Sequence, residues 1–169
     1  MTRDPEEQTR QKRRLLYQVS SRIVACAASA VAALLMAFNR ETTVYGGVEI
    51  DVDYTAASAF KFLVAGDAVV SVYCLLSLVF LVARHDHGGL LHVLDLTAMA
   101  LAMAVAASAA AIAHVGKYGE PKAGWVSVCG YFPNFCHRTG LSLVLCFVGF
   151  ISCFLSTATM HVAGADPQL

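Results

Sequence analysis

Three histidines lie within one short polar stretch of the chain, and such a group is a first place to look for metal binding or acid–base catalysis. His85, His87 and His92 accompany Asp86, and imidazoles with a carboxylate are common zinc ligands. Their spacing matches no zinc motif, and the sequence holds no glycine-rich phosphate loop, nucleophile elbow or HExxH. We favour a solvated loop over a metal site, and we expect no enzyme activity, no metal and no cofactor.

Two of the cysteines, Cys129 and Cys136, lie in a polar segment, whereas the other cysteines lie in apolar runs. A pair at this spacing can close a small disulfide loop where the segment faces an oxidising compartment. Zinc would need more ligands than these thiols and the adjacent His137, and no CxxC motif is present. The disulfide is therefore favoured over a metal.

Three ionisable residues, Arg22, Asp67 and Asp95, lie within or at the edges of strongly apolar segments. A charge at the centre of a bilayer costs about 2.5–3.5 kcal/mol on insertion scales, so such residues normally face a partner or reach the interface. Arg22 and Asp95 are expected at similar depth, and we favour an interhelical ion pair over two separate interfacial charges. For Asp67 we favour a hydrogen-bonded packing role over an ion-binding site.

The elements that carry these residues are four apolar segments, each near the roughly 20 residues that a helix needs to cross a bilayer. Hydrophobic residues make up 57% of the chain and charged residues 14%, against about 25% charged in soluble domains. Runs that are apolar on every side leave no face for water. The sequence therefore predicts an all-α, integral membrane four-helix bundle. The expected spans are residues 19–38, 60–82, 91–115 and 141–162.

The polar segments complete the predicted organisation. A tail over residues 1–17 precedes the four-span domain of residues 18–162, and a short tail over residues 163–169 follows it. Because the first tail carries a basic cluster, and lysine and arginine favour the cytosolic side, we expect both termini in the cytosol. The cluster can also attract anionic lipid headgroups. A net charge of zero argues against a nucleic-acid partner.

Two further patterns concern contacts with the surroundings. The segment that holds the polar cysteines also holds Trp125, Phe132 and Phe135. Aromatic side chains concentrate at membrane interfaces, so we expect these three in the outer headgroup belt or on a contact surface for an extracellular partner. The third span is rich in alanine, and small residues let helices approach closely in lipid. That face either packs inside the bundle or joins protomers.

Several segments, in their order and spacing, resemble the plant Casparian strip membrane protein-like (CASP-like) family. The first span opens with an arginine in residues 21–24, and residues 60–68 read FKFLVAGDA. The third span begins with an aspartate, and residues 125–136 are similar to the family's second outer loop. The resemblance covers most of residues 17–162 and is strongest to the first CASP-like subfamily.

The resemblance implies a four-span plasma-membrane protein, related in architecture to MARVEL-type tetraspan proteins, that associates with itself and with related CASP-like proteins. It matches Arg22 and Asp95 to an intramembrane arginine and aspartate of the family. Asp67 departs from the family pattern, in which asparagine is usual. Residues 41–49 lack the signature loop of the true Casparian strip members, so a role in building that strip is not implied.

These observations predict a non-enzymatic plasma-membrane scaffold that self-associates laterally and organises a membrane domain, with outer loops that position cell-wall-modifying enzymes. The expected partners are copies of itself, related CASP-like proteins, membrane lipids and such extracellular enzymes. The alternative is an oligomeric transporter or channel subunit for an ion or small solute, in which Arg22, Asp67 and Asp95 line a polar route.

Overall fold

The computed structural model describes residues 5–82 and 88–164, which form four long helices and one β-hairpin. The elements, in chain order, are α1 (Pro5–Ala37), β1 (Arg40–Tyr45), β2 (Val48–Asp53), α2 (Ser58–Val82), α3 (Gly88–Tyr118) and α4 (Pro133–Gly164). All four helices are long and apolar enough to cross a membrane. The predicted four-helix membrane bundle is therefore confirmed.

The helices extend beyond the apolar segments that revealed them. α1 begins at Pro5, inside the predicted polar tail, and its first turn carries Glu6 and Glu7, whose charge complements the positive end of the helix dipole. α4 begins at Pro133, well before the predicted span at residue 141. Apolar composition marks only the part of a helix that lies in hydrocarbon, so polar end turns escape it.

The four helices pack as a ring in which sequence neighbours are adjacent and α1 closes against α4. Consecutive helices are antiparallel, so the first turn of α1 and the last turn of α4 lie at one end, called the terminal end here. The hairpin and residues 119–132 lie at the other end, the hairpin end. The interior is built largely from small side chains, which allow close helix contacts in lipid. They include Ala25, Ala32, Ala102, Ala106 and Ala109.

A β-hairpin occupies the connection between α1 and α2, where the sequence analysis expected only a loop. β1 and β2 pair antiparallel with Thr43 opposite Ile50. Gly46 and Gly47 form the two-residue turn with φ of 61° and 86°, a left-handed conformation that favours glycine and matches the strand twist. The paired glycines between β-branched residues were the sequence signal for this hairpin.

The α2–α3 contact depends on a missing side chain at Gly66. A Cβ at this position would overlap the side chain of Val105 on α3, and a β-branched side chain in a helix has little rotamer freedom with which to move away. We therefore expect Gly66→Ala to lower the free energy of unfolding by about 1–3 kcal/mol through overpacking. Unfolding of the purified protein in detergent micelles measures this.

The matched control is Gly140→Ala on α4, where an added Cβ meets no heavy atom within 4 Å. That variant should be neutral or slightly stabilised, because alanine favours helix over glycine. Adding Val105→Ala to Gly66→Ala should restore part of the lost stability. Equal stability of the Gly66 and Gly140 variants would show that α2 and α3 do not touch here.

Candidate functional site

One buried carboxylate links three helices near the terminal end. Arg22 Nη2 on α1 donates a hydrogen bond to Asp95 Oδ2 on α3 at 2.6 Å. Tyr73 Oη on α2 donates to Asp95 Oδ1 at 2.6 Å. The structure thus brings together the two charges expected to pair. It adds Tyr73, which sequence reasoning missed because a tyrosine within an apolar span has no distinctive spacing.

The ion pair is almost fully removed from solvent, with Arg22 3% and Asp95 6% exposed. The two charges cancel, so no net charge is buried, although Arg22 Nε has no hydrogen-bond partner among the described residues. A buried pair adds little net stability over an apolar pair of the same shape, but losing one partner is costly. The cluster therefore acts mainly to fix the relative depth of α1, α2 and α3.

Asp67 is fully buried in the bundle and is held by one weak donor. Its Oδ1 accepts a hydrogen bond from the thiol of Cys146 on α4 at 3.3 Å. Its Oδ2 has no hydrogen-bond partner in the described part of the chain. The structure therefore does not hydrogen-bond Asp67 to the Arg22–Asp95 pair, and the three residues predicted to line one route fall into two separate groups.

A second polar group ties the end of α1 to the start of α4. Asn39 is buried, and its Nδ2 donates to the carbonyl of Phe135 and to Thr139 Oγ1, each at 3.0 Å. Thr139 Oγ1 also donates to the Phe135 carbonyl at 2.8 Å. These bonds satisfy polar atoms at the point where the chain leaves the bundle, and they fix where the hairpin begins.

The hairpin is also attached to α4 through Glu41. Glu41 Oε2 accepts from the backbone N–H of Phe135 at 2.6 Å, and Oε1 accepts from Asn134 Nδ2 at 3.0 Å. A carboxylate at a helix N-terminus satisfies free N–H groups and complements the helix dipole. This cap joins residues far apart in sequence, so no local pattern announces it.

Three charged side chains of the hairpin have ion-pair or hydrogen-bond partners nearby. Arg40 donates to the carboxylate of Asp51 across the strands, and this bond lowers the pKa of Asp51 and raises that of Arg40. Hydrogen bonds from the side chain and backbone N–H of Thr55 lower the pKa of Asp53. All three groups are therefore ionised at neutral pH, and they keep this part of the hairpin hydrated.

The structure contains the expected Cys129–Cys136 disulfide, with Cα atoms 5.6 Å apart. The bond joins the connecting segment to the first turn of α4. Closing a loop of this size restricts the unfolded chain by about 2–3 kcal/mol. The end of the connecting segment at Cys129 is thereby held beside the first turn of α4.

The predicted aromatic contact surface is wrong for two of its three members. Phe132 is 6% and Phe135 5% exposed. α4 starts at Pro133, so Phe135 lies in its first turn and stacks edge-on against Phe60, with ring centroids 5.9 Å apart. Trp125 is 59% exposed and is the one predicted member that remains available for outside contacts.

The histidine group cannot be placed as a unit. His85, Asp86 and His87 lie outside the described residues, and His92 lies in α3. Within residues 5–82 and 88–164, no three His, Cys, Asp or Glu side chains are grouped closely enough to hold a metal ion.

The alanines of α3 lie on two faces of the helix. The sequence alone did not decide whether they pack inside the bundle or face outward. One set is buried against the bundle, and the other is exposed on the outside of the helix. The buried set is Ala98, Ala102, Ala106 and Ala109. The exposed set is Ala100, Ala104, Ala107 and Ala111, and we call it the alanine row. Its spacing of four, three and four residues keeps it on one side of the helix.

The outward faces of the neighbouring helices differ from the alanine row. They carry large aliphatic side chains, as expected for surfaces that contact lipid chains. On α2 these include Val69, Val72 and Leu76, and on α4 Val144, Val148 and Ile151. Between residues 97 and 111 of α3, the exposed large hydrophobic side chain is Met103. The row therefore presents less side-chain bulk than the large aliphatic side chains on α2 and α4.

The part of the chain that holds the four helices is similar to known proteins. Residues 11–152 match the family model for the Casparian strip membrane protein domain. The chain is 38% identical over 146 residues to CASP-like protein 1F2 of Vitis vinifera, covering 84% of this chain and 77% of that protein. It is 34% identical over 148 residues to CASP-like protein 1C1 of Arabidopsis thaliana, covering 88% and 90%. No solved structure matches.

The buried ion pair gives a testable stability prediction. Asp95→Asn leaves the Arg22 cation buried without its counter-ion, so we expect the free energy of unfolding to fall by about 3–5 kcal/mol. The double variant Arg22→Gln/Asp95→Asn should be less destabilised than Asp95→Asn alone, because no unpaired charge remains. Unfolding in detergent micelles measures both.

Arg40→Gln provides the control, since it breaks an ion pair whose partners are exposed at the hairpin and should change stability much less. If Asp95→Asn proved as mild as Arg40→Gln, the burial of the Arg22–Asp95 pair would have to be revised. The pair would then lie in water or headgroups instead of in the bundle interior.

Proposed function

Because the chain belongs to the Casparian strip membrane protein domain family, we propose that it is a non-enzymatic plasma-membrane scaffold whose copies associate laterally to organise a membrane domain. Both termini lie in the cytosol in this proposal, and the hairpin end faces the cell wall. The observation that carries the proposal is the exposed alanine row on α3. The family resemblance implies self-association, and the alanine row is a surface through which two copies can pack.

Helix association in lipid depends on packing, since the lipid chains are as apolar as the side chains and burial adds little. A row of small side chains lets two α3 helices approach along their length and exchange lipid contacts for close protein contacts. The large side chains on α2 and α4 would hold a partner helix further away. A contact of α3 with α3 uses the same face on both copies, which suits a two-fold dimer.

The same geometry supports mixed association with related proteins. Ala100, Ala104, Ala107 and Ala111 carry no charge and no hydrogen-bonding side chain, so the contact selects by shape and size. Any relative with small residues at matching positions would fit it. Charged or hydrogen-bonded interfaces discriminate more strongly, because a wrong partner leaves polar groups unpaired.

The disulfide supports an extracellular hairpin end, because disulfides persist in oxidising compartments and are rare in the cytosol. That end also presents exposed apolar side chains, including Trp125, Val126, Val44 and Val48. Exposed apolar groups beside a polar rim are typical of protein contact sites. We assign this surface to the binding of extracellular partners such as cell-wall-modifying enzymes.

An oligomeric transporter or channel subunit is the second candidate, and Asp67 is the observation that favours it. A buried carboxyl with one thiol donor and a free oxygen is unusual in a bilayer, where ionisable residues often mark ion or proton pathways. The separation of Asp67 from the Arg22–Asp95 group weighs against a continuous polar route in one protomer.

Enlarging the alanine row should weaken association without disturbing the fold. We expect Ala104→Leu/Ala107→Leu to raise the dimer dissociation constant in vesicles by about tenfold or more, since the added side chains separate the two helices and about 1.4 kcal/mol corresponds to tenfold. Energy transfer between labelled copies, measured across protein-to-lipid ratios, gives the constant.

The matched control is Val144→Leu/Val148→Leu on the lipid-facing side of α4, which should leave the constant unchanged. Both double variants keep apolar side chains in contact with lipid, so the monomer should stay folded. Equal weakening by the two variants, or none by either, would remove α3 as the interface.

Asp67→Asn separates the two candidate functions. For a scaffold, the neutral side chain of nearly the same shape should leave association and membrane permeability unchanged. Proton and cation flux into vesicles that contain the purified protein measures the second property. Flux that is present with Asp67 and lost in Asp67→Asn would favour the transporter over the scaffold.

The orientation can be tested through the disulfide. In intact plant protoplasts, a membrane-impermeant reductant followed by an impermeant maleimide should label Cys129 and Cys136, because the hairpin end faces outward. The remaining described cysteines are fully or partly buried in the spans and should react poorly. Labelling that requires permeabilised cells would place the hairpin end in the cytosol.

A further inference from the structure

A cleft of about 720 Å³ opens at the hairpin end between α2, α3 and α4. Phe60 on α2 and Phe135 and Thr139 on α4 are buried side chains that form its floor. Its walls are mostly apolar, and they include Ala113 on α3 and Leu143 on α4. The cleft lies outside the alanine row and outside the Arg22–Asp95 cluster.

The space exists because of side-chain size. Gly66 and Val105 hold α2 and α3 in contact near the middle of the bundle. Towards the hairpin end, several positions that line the cleft are small, among them Ala110, Ala113 and Gly116 on α3 and Gly140 on α4. No larger side chain within residues 5–82 and 88–164 fills the gap that these small residues leave between the helices. In a bilayer, an open apolar space of this kind must be filled by lipid or by protein.

The rim of the cleft is basic. Lys117, His114 and His137 line it and are exposed. The Lys117 ammonium lies 5.3 Å from the centre of the Tyr118 ring, which keeps it near the mouth instead of extended into water. None of the described residues that line the cleft is acidic. The rim is therefore complementary to an anion, and the walls are complementary to a hydrocarbon chain.

We propose that the cleft binds one glycerophospholipid, with its phosphate at Lys117 and the two imidazoles and an acyl chain between α3 and α4. A water-soluble anion would leave the apolar walls unfilled, whereas a sterol would leave the basic rim without a counter-charge. Lys117 lies in the last turn of α3, where the helix leaves the apolar region and headgroups are at the same depth. The bound lipid completes the packing at this end of the bundle.

Photolabelling in reconstituted vesicles tests the proposal. The probe is phosphatidylglycerol, an anionic lipid, with a diazirine in one acyl chain, and labelled peptides are mapped by mass spectrometry. We expect residues 110–117 and 139–143 to be labelled well above the lipid-facing residues 144–151 of α4. Ala113→Phe, which fills the cleft, should reduce labelling of the cleft peptides to the level of those α4 residues.

Two charge variants separate the headgroup contact from general electrostatics. Lys117→Glu should reduce cleft labelling about fivefold or more, the equivalent of losing one lysine contact with an anionic headgroup. Lys122→Glu makes the same charge change at a residue outside the cleft lining and should have little effect. Both side chains are exposed, so folding should be unaffected even if Ala113→Phe proved unstable.

Three results would overturn the proposal. The first is cleft labelling no stronger than that of residues 144–151, which means annular lipid only. The second is equal labelling by a neutral sterol probe with no effect of Lys117→Glu, which means an apolar site without headgroup recognition. The third is a rise in the dimer dissociation constant in Ala113→Phe without loss of labelling, which assigns the cleft to a second copy of the chain.

Discussion

A polar group inside the bilayer must find its hydrogen-bond partner within the protein, because lipid offers none. The rest of this structure depends on that constraint. Most of the buried polar side chains obey it, although some atoms, including Arg22 Nε and Asn39 Oδ1, have no partner among the described residues. Asp95 accepts hydrogen bonds from Arg22 and Tyr73 and so links three helices, and Asn39, just after α1, donates to Thr139 on α4. Polar groups thus hold the helices in register from within. Asp67, with a single thiol donor, is the place where the rule is least well met.

On the outward surface, neighbours are distinguished mainly by the size and shape of apolar side chains. Large aliphatic side chains cover α2 and α4, and the alanine row interrupts that cover on α3. In the proposals made above, two features on this helix serve different neighbours. The alanine row suits another helix, and the cleft beyond it, with its basic rim at Lys117, suits a lipid. At the hairpin end, where water and ions return, charged pairs and a disulfide replace helix packing as the means of fixing the chain.

Sequence reasoning reached the parts of this molecule that follow from local composition. Four apolar runs predict four spans, and Arg22 and Asp95 are predictable partners because both interrupt such runs at similar depth. Contacts between distant segments were out of reach, such as the Glu41 cap on α4. Phe132 and Phe135 were misplaced because polar neighbours suggested a loop where α4 begins. The hairpin was missed although Gly46 and Gly47 marked it, because it lies in a polar connection outside the apolar spans.

The central claim is that copies of this protein meet through the outer face of α3, and cysteine crosslinking reports that contact most directly. Ala107→Cys, oxidised in native plant membranes, should give a disulfide-linked dimer that reducing agent dissolves. Val148→Cys on the outer face of α4 should remain monomeric under the same conditions. A dimer that forms as readily through Val148→Cys, or through neither position, would contradict the claim.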